Sequence, residues 1–137
     1  ERTRRVETSM QNLYEYLGEE NIRALVDHFY DAMEELPEAQ TIRAMHPDDL
    51  TESRDKFFWF LVGWSGGPPL YTSKFGHPRL RMRHLPFAVD SSARDAWMLC
   101  MKVALEKVVE EEDVRTTLFQ TFHRIADHMR NTEDPSN

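Results

Sequence analysis

Six histidines, one cysteine and a set of aromatic residues carry the side-chain types that could do chemistry in this chain. The histidines are His28, His46, His77, His84, His123 and His128. A neutral imidazole ligates transition metals and moves protons near neutral pH. No two of these histidines form an HExxH pair, and a single cysteine cannot build a thiolate cluster. His28, His123 and His128 do not fall cleanly within apolar stripes, so they read as solvated or interfacial. His46 lies in a turn-rich connector, where capping a turn is its simplest role. His77 and His84 bracket a segment with no clear period; either is a candidate metal ligand, and spacing does not choose between them. Cys100, set in the apolar run WMLCMKVAL, reads as an inert core thiol. The chain has no phosphate-binding loop or dinucleotide fingerprint.

The elements that must position these residues are helical. From Glu20 to Glu35, Ile22, Leu25, Val26, Phe29, Tyr30 and Met33 recur at three- and four-residue steps and predict a helix with one buried face. A shorter pattern over Leu13–Leu17 precedes it, and Leu36-Pro37 closes it, because the residue before proline avoids helical angles. The connector AMHPDDLTES follows, with Thr51 expected to cap the next helix. That helix, Glu52 to Trp64, is apolar almost all round and predicts burial over most of its circumference. Gly66-Gly67-Pro68-Pro69 ends it. Asp90, Ser91 and Ser92 offer caps to a further helix, with Asp95 completing a capping box from Ser92. Ala93, Ala96, Trp97, Cys100, Met101, Ala104, Leu105 and Val108 keep to one face of it. Asp113 opens the last helix, whose stripe is Val114, Leu118, Phe122, Ile125 and Met129. The RLRMRHL run alternates like a strand but has no partner strand, so the fold class is all-α.

The 137 residues favour one domain, with a core from about 13 to 130 and a polar tail beyond it. A chain of this size needs no disulfide or structural metal to fold. Acidic residues outnumber basic ones 24 to 17, for a net charge of -7, which argues against a nucleic-acid partner. No apolar run approaches the roughly 18 residues needed to span a bilayer, so no membrane partner is expected. The lone cysteine fits a reducing, cytoplasmic setting.

The run FGHPRLRMRHLPF (residues 75–87), followed by ARDAW ending at Trp97, closely resembles the signature of group II truncated haemoglobins. FYDAM, with Phe29 and Tyr30, and WSGGPPLY, with its glycines and Tyr71, match the same family at family-like spacing. The resemblance runs from Leu13 to Met129. It implies a shortened globin, a two-over-two helical sandwich around haem b, in which RLRMRHL is a loop and short helix. It also implies residue roles. His84 matches the proximal histidine that ligates the iron, with its second ring nitrogen donating to a nearby acceptor. Tyr30, Trp97 and His46 match distal positions. Ser53 matches the place where many globins carry a distal histidine, and its small size implies an opening. Phe57, Phe60 and Leu61 match apolar haem-facing positions; Lys56, Tyr71 and Arg83 match polar positions that meet the propionates. By spacing alone Tyr30 and Trp97 are core aromatics, and the resemblance reverses that reading.

The implied function is binding of O2, CO, NO or peroxide. Hydrogen bonds to a partly charged ligand are worth about 1.5–3 kcal/mol each, so three donors imply slow release. Redox chemistry on the ligand follows as the preferred reading, either peroxide-dependent oxidation or oxidation of nitric oxide by O2, served by a reductase the sequence does not identify. Tyr30, His46 and Trp97 are the candidate catalytic residues. The alternative is a non-catalytic oxygen-binding or sensing globin.

Overall fold

The computed structural model describes residues 13–79 and 89–130. Among them lie six α-helices and one 3-10 turn, with no strand. The helices are α1 (Leu13–Glu35), α2 (Gln40–Arg43), α3 (Thr51–Trp64), α4 (Leu70–Phe75), α5 (Ser91–Val108) and α6 (Glu112–His128); the turn is Pro37–Ala39. The RLRMRHL alternation lies almost wholly outside the described residues.

The predicted stripe of α1 is the centre of the core: Ile22, Leu25, Val26, Phe29 and Met33 are each at most 2% exposed. Gly18 breaks the helix locally with φ 78 and ψ 162, separating the Leu13–Leu17 turn from the long amphipathic part. The end comes where proline requires it, with Leu36 extended at φ -77 and ψ 127.

Thr51 does not cap α3. It is the first helical residue, and its N–H donates to the Asp49 carboxylate at 2.9 Å. The aspartate two residues upstream reaches the orphan amide first. At the other end Gly67 N–H donates to the Val62 carbonyl and Gly66 N–H to the Gly63 carbonyl, a Schellman closure made with Gly66 at φ 106. The expected burial of α3 all round does not occur: Leu61 and Val62 are buried, whereas Phe57, Phe58, Trp59 and Phe60 are only half-buried. Part of this helix faces a cavity, and its far side reaches the surface.

Periodicity did not reveal α4, because six residues make too few turns to show a period. In α5 the cap is Asp90, whose carboxylate accepts from Ala93 N–H at 2.9 Å. The Ser92–Asp95 capping box does not form, since Ser92 already lies inside the helix and Asp95 pairs with Arg94 at 3.0 Å. Helix α6 begins at Glu112, one residue before the expected Asp113. The main packing runs α1 on α5, α5 on α6 and α1 on α3, so the pairs α1–α3 and α5–α6 meet across a shared core.

Candidate functional site

A cavity of about 430 Å³ opens between α3, α5, α6 and the α2 region, bounded by α1 at Tyr30. Its wall is mostly apolar, and its volume falls in the range of roughly 300–1,000 Å³ usual for small-molecule and cofactor sites. Tyr30, His46, Ser53, Lys56, Phe57, Phe60, Tyr71 and Trp97 all line it. These residues come from five separate stretches of chain. Leu61 does not: it is 2% exposed, packed in the core one position round from Phe60. His84 and Arg83 lie outside the described residues.

The aromatic rings form a connected shell. Tyr30 meets His46 edge-on at 5.9 Å and Phe57 at 6.2 Å, and Phe57 meets Trp97 at 6.2 Å. Phe29 stands behind them, 5.1 Å from Tyr30 and 5.0 Å from Trp97. Ring positions are therefore fixed by mutual contact as well as by the helices that carry them.

The polar atoms of this shell are unevenly satisfied. Tyr30 is 6% exposed, yet its hydroxyl makes no hydrogen bond within the described chain, and neither does the indole N–H of half-buried Trp97. No described polar side-chain atom is both fully enclosed and unpartnered, so the Tyr30 hydroxyl opens onto free space, and the cavity is the space its side chain lines. Burial pushes its pKa far above the ordinary tyrosine range, with the nearby Arg54 charge opposing part of the rise. The hydroxyl stays protonated and available as a donor.

His46 is held differently. Its Nδ1 lies 2.9 Å from the Ile42 carbonyl. A carbonyl only accepts, so Nδ1 carries the proton. His77 is exposed, and its Nδ1 accepts from Arg79 N–H at 3.0 Å, which uses the ring in a local turn. Among the described histidines, His46 alone lines the cavity.

Sequence reasoning missed several wall residues. Phe122, Ile125 and Met129 were read as core stripe, but they also face the cavity, and Ile42, Met45 and Val89 complete the apolar lining. Periodicity reports which face of a helix avoids water, not whether that face meets another helix or a hole. Arg94 is a cation on the wall, held by Asp127 at 2.7 Å and Asp95 at 3.0 Å. Lys56 pairs with Glu52 at 2.7 Å and lies 5.3 Å from the Phe75 ring centroid.

Residues 12–131 match the family model of the bacterial-like globins. The chain belongs to that family, in its group II truncated branch. Group 2 truncated hemoglobin YjbI of Bacillus subtilis is 44% identical over 118 residues, covering 86% of this chain and 87% of that protein. The group II 2-on-2 hemoglobin of the plant pathogen Agrobacterium tumefaciens superposes with a TM-score of 0.85 at 41% identity, over 90% of this chain and 95% of the other. The cold-adapted truncated hemoglobin of Pseudoalteromonas haloplanktis gives a TM-score of 0.85 at 44% identity, over 87% and 97%. The two-over-two globin fold implied by FGHPRLRMRHLPF is thus the fold of this chain, and its cofactor is haem. The globin's cavity suits that group: flat aromatic side chains provide apolar walls for a macrocycle, and Lys56 offers a partly exposed cation for carboxylates.

Proposed function

We propose that this globin holds haem through His84 and retains a diatomic ligand by hydrogen bonds from Tyr30 and Trp97, in the service of redox chemistry on that ligand. The observation that carries the reading is the pair of unpartnered donors on a mostly apolar wall. Buried donors are nearly always paired in folded proteins, with protein or with ordered water, so the hydroxyl of Tyr30, with the indole N–H of Trp97 nearby, marks a place where a ligand can supply the acceptor. Bound haem supplies the iron position at which O2 and similar small molecules are taken up.

His84 as the iron ligand is supported by what the other histidines do. His77 is committed to a surface turn, and His46 stands beside Tyr30 on the wall with the donors. The chain returns to the cavity wall at Val89, a short connection after His84. Lys56, Tyr71 and Arg83 are the residues proposed to meet the propionates.

Tyr30 and Trp97 donate, and His46 stands beside Tyr30 on the same wall. That grouping suits proton movement as well as retention, because an imidazole beside a ligand donor is the kind of side chain that passes a proton to or from peroxide. Peroxide-dependent oxidation and oxidation of nitric oxide by O2 are the reactions it suits, with electrons drawn from an external reductase. One hydrogen bond of about 1.5–3 kcal/mol slows ligand escape by about tenfold or more.

The test pairs two measurements on the haem-loaded protein, the O2 dissociation rate and steady-state peroxide turnover. Slow release with turnover that falls in His46→Leu is expected. Fast release with negligible turnover contradicts the redox reading and leaves a non-catalytic oxygen binder. Replacing His84 with Gly should abolish the native absorption spectrum, and an unaltered spectrum would move the iron ligand to another residue.

A further inference from the structure

Behind Tyr30, away from the cavity, stands a charged group that the ligand chemistry does not use. Arg54 follows Ser53 on α3 and reaches across to α1. One of its terminal nitrogens, Nη1, donates to the Asp27 carbonyl at 3.1 Å and to the Asp27 carboxylate at 3.0 Å. The other, Nη2, donates to the Asp31 carboxylate at 2.8 Å and lies 3.6 Å from the Glu34 carboxylate. Asp27, Asp31 and Glu34 share one face of α1 by their spacing of four and three, and Tyr30 sits among them. The guanidinium carbon is 5.7 Å from the centroid of the Tyr30 ring. Although charged, the Arg54 side chain is only 18% exposed.

We propose that Arg54 is a positioning residue for Tyr30, clamping the ring from behind and polarising the hydroxyl on its cavity side. This rests on the reading of Tyr30 as a ligand donor. A cation over a phenol ring is attracted to its π-face and draws electron density from it, which makes the hydroxyl a stronger donor. The same charge opposes the effect of burial on the hydroxyl's ionisation. Anchoring to three carboxylates on α1 keeps the guanidinium from swinging into water, so the tyrosine's orientation and its donor strength have one source.

A second bridge between the same helices provides a control within the molecule. Arg23 on α1 donates to Asp55 on α3 at 2.9 Å, and its guanidinium lies over Phe58, not Tyr30. If α1–α3 bridging were only a staple, breaking either bridge would act alike.

The haem-loaded protein is compared with Arg54→Met, Arg54→Lys and Arg23→Met, each with Tyr30 or Tyr30→Phe. The readouts are the O2 dissociation rate and the infrared C–O stretch of the CO complex. Arg54→Met should speed O2 loss by about threefold or more and move the C–O stretch in the direction Tyr30→Phe moves it. Arg54→Lys should recover part of both, and neither change should appear in the Tyr30→Phe background. Arg23→Met should lower the melting temperature and leave both readouts in place. The proposal is overturned if Tyr30→Phe moves the readouts while Arg54→Met does not, or if the Arg54→Met effect persists in full without the Tyr30 hydroxyl. If Tyr30→Phe itself moves neither, the donor reading of Tyr30 fails first. Should Arg54→Met not take up haem, Asp31→Asn, which removes one of the two negative charges beside Nη2, is read by the same criteria.

Discussion

At the scale of single residues, the protein separates groups that look alike in the sequence. Cys100 and Tyr30 both sit in helical apolar stripes, yet one is sealed in the core and the other opens on the cavity. The thiol has no task and carries a measurable consequence. Burial raises its pKa from 9.0 to about 11, so the folded state keeps a proton that the unfolded chain releases. Stability from this group is complete below pH 9 and is lost as the pH climbs through 11. Urea denaturation at about pH 8 and about pH 11 should show a smaller loss in Cys100→Ala than in the wild type; equal losses would show that the thiol does not contribute. Trp97→Phe belongs to the same scale. It removes the indole donor and keeps an aromatic, though smaller, ring, and should speed O2 loss by about tenfold, as read by stopped-flow displacement. An unchanged rate would remove Trp97 from the donor set.

Among the elements, the ends of α3 and α5 decide how the site is framed. The Schellman closure of α3 turns the chain at Gly66 and lays Gly67 against the ring of Tyr14. A Cβ at Gly67 would come within 2.5 Å of that ring. Gly67→Ala should therefore cost about 1–3 kcal/mol in stability, and trimming the ring in the double variant with Tyr14→Ala should recover part of it. A Gly67→Ala protein as stable as the wild type would show that Tyr14 packs elsewhere. At the start of α5, Asp90 accepts the orphan Ala93 amide, and Asp90→Ala should cost about 1 kcal/mol by thermal denaturation. The proline stop after α1, the glycine turn after α3 and the caps before α5 were legible because each acts over four or five residues. Which acceptor takes which amide was not: Asp49 displaced Thr51, and Asp90 displaced the Ser92 box, because several oxygens compete and backbone path selects the winner.

For the whole molecule, a cavity of about 430 Å³ stands where a domain this small would otherwise place core. No described helix is long and apolar enough to cross a membrane. A cofactor that fills the cavity binds the folded state alone and stabilises it by mass action, by roughly 4 kcal/mol at a thousandfold excess over its Kd. Protein stripped of haem should melt at a lower temperature than the loaded protein, and adding haem back should restore the loss. Equal melting temperatures, by calorimetry, would mean that the cavity is not where haem binds.

The sequence by itself determined the long helices, their stops, the inert cysteine and, through one ordered set of motifs, the globin family. These depend on local chemistry: a period of 3.6, a proline ring, a glycine free to take positive φ. Only the tertiary structure decided which apolar faces meet a hole and which meet a neighbour. It put Phe60 on the cavity and Leu61 in the core, gave His46 its proton on Nδ1, and set Arg54 behind Tyr30. Those outcomes arise where helices far apart in the chain cross, and no local pattern records where crossing helices leave a gap.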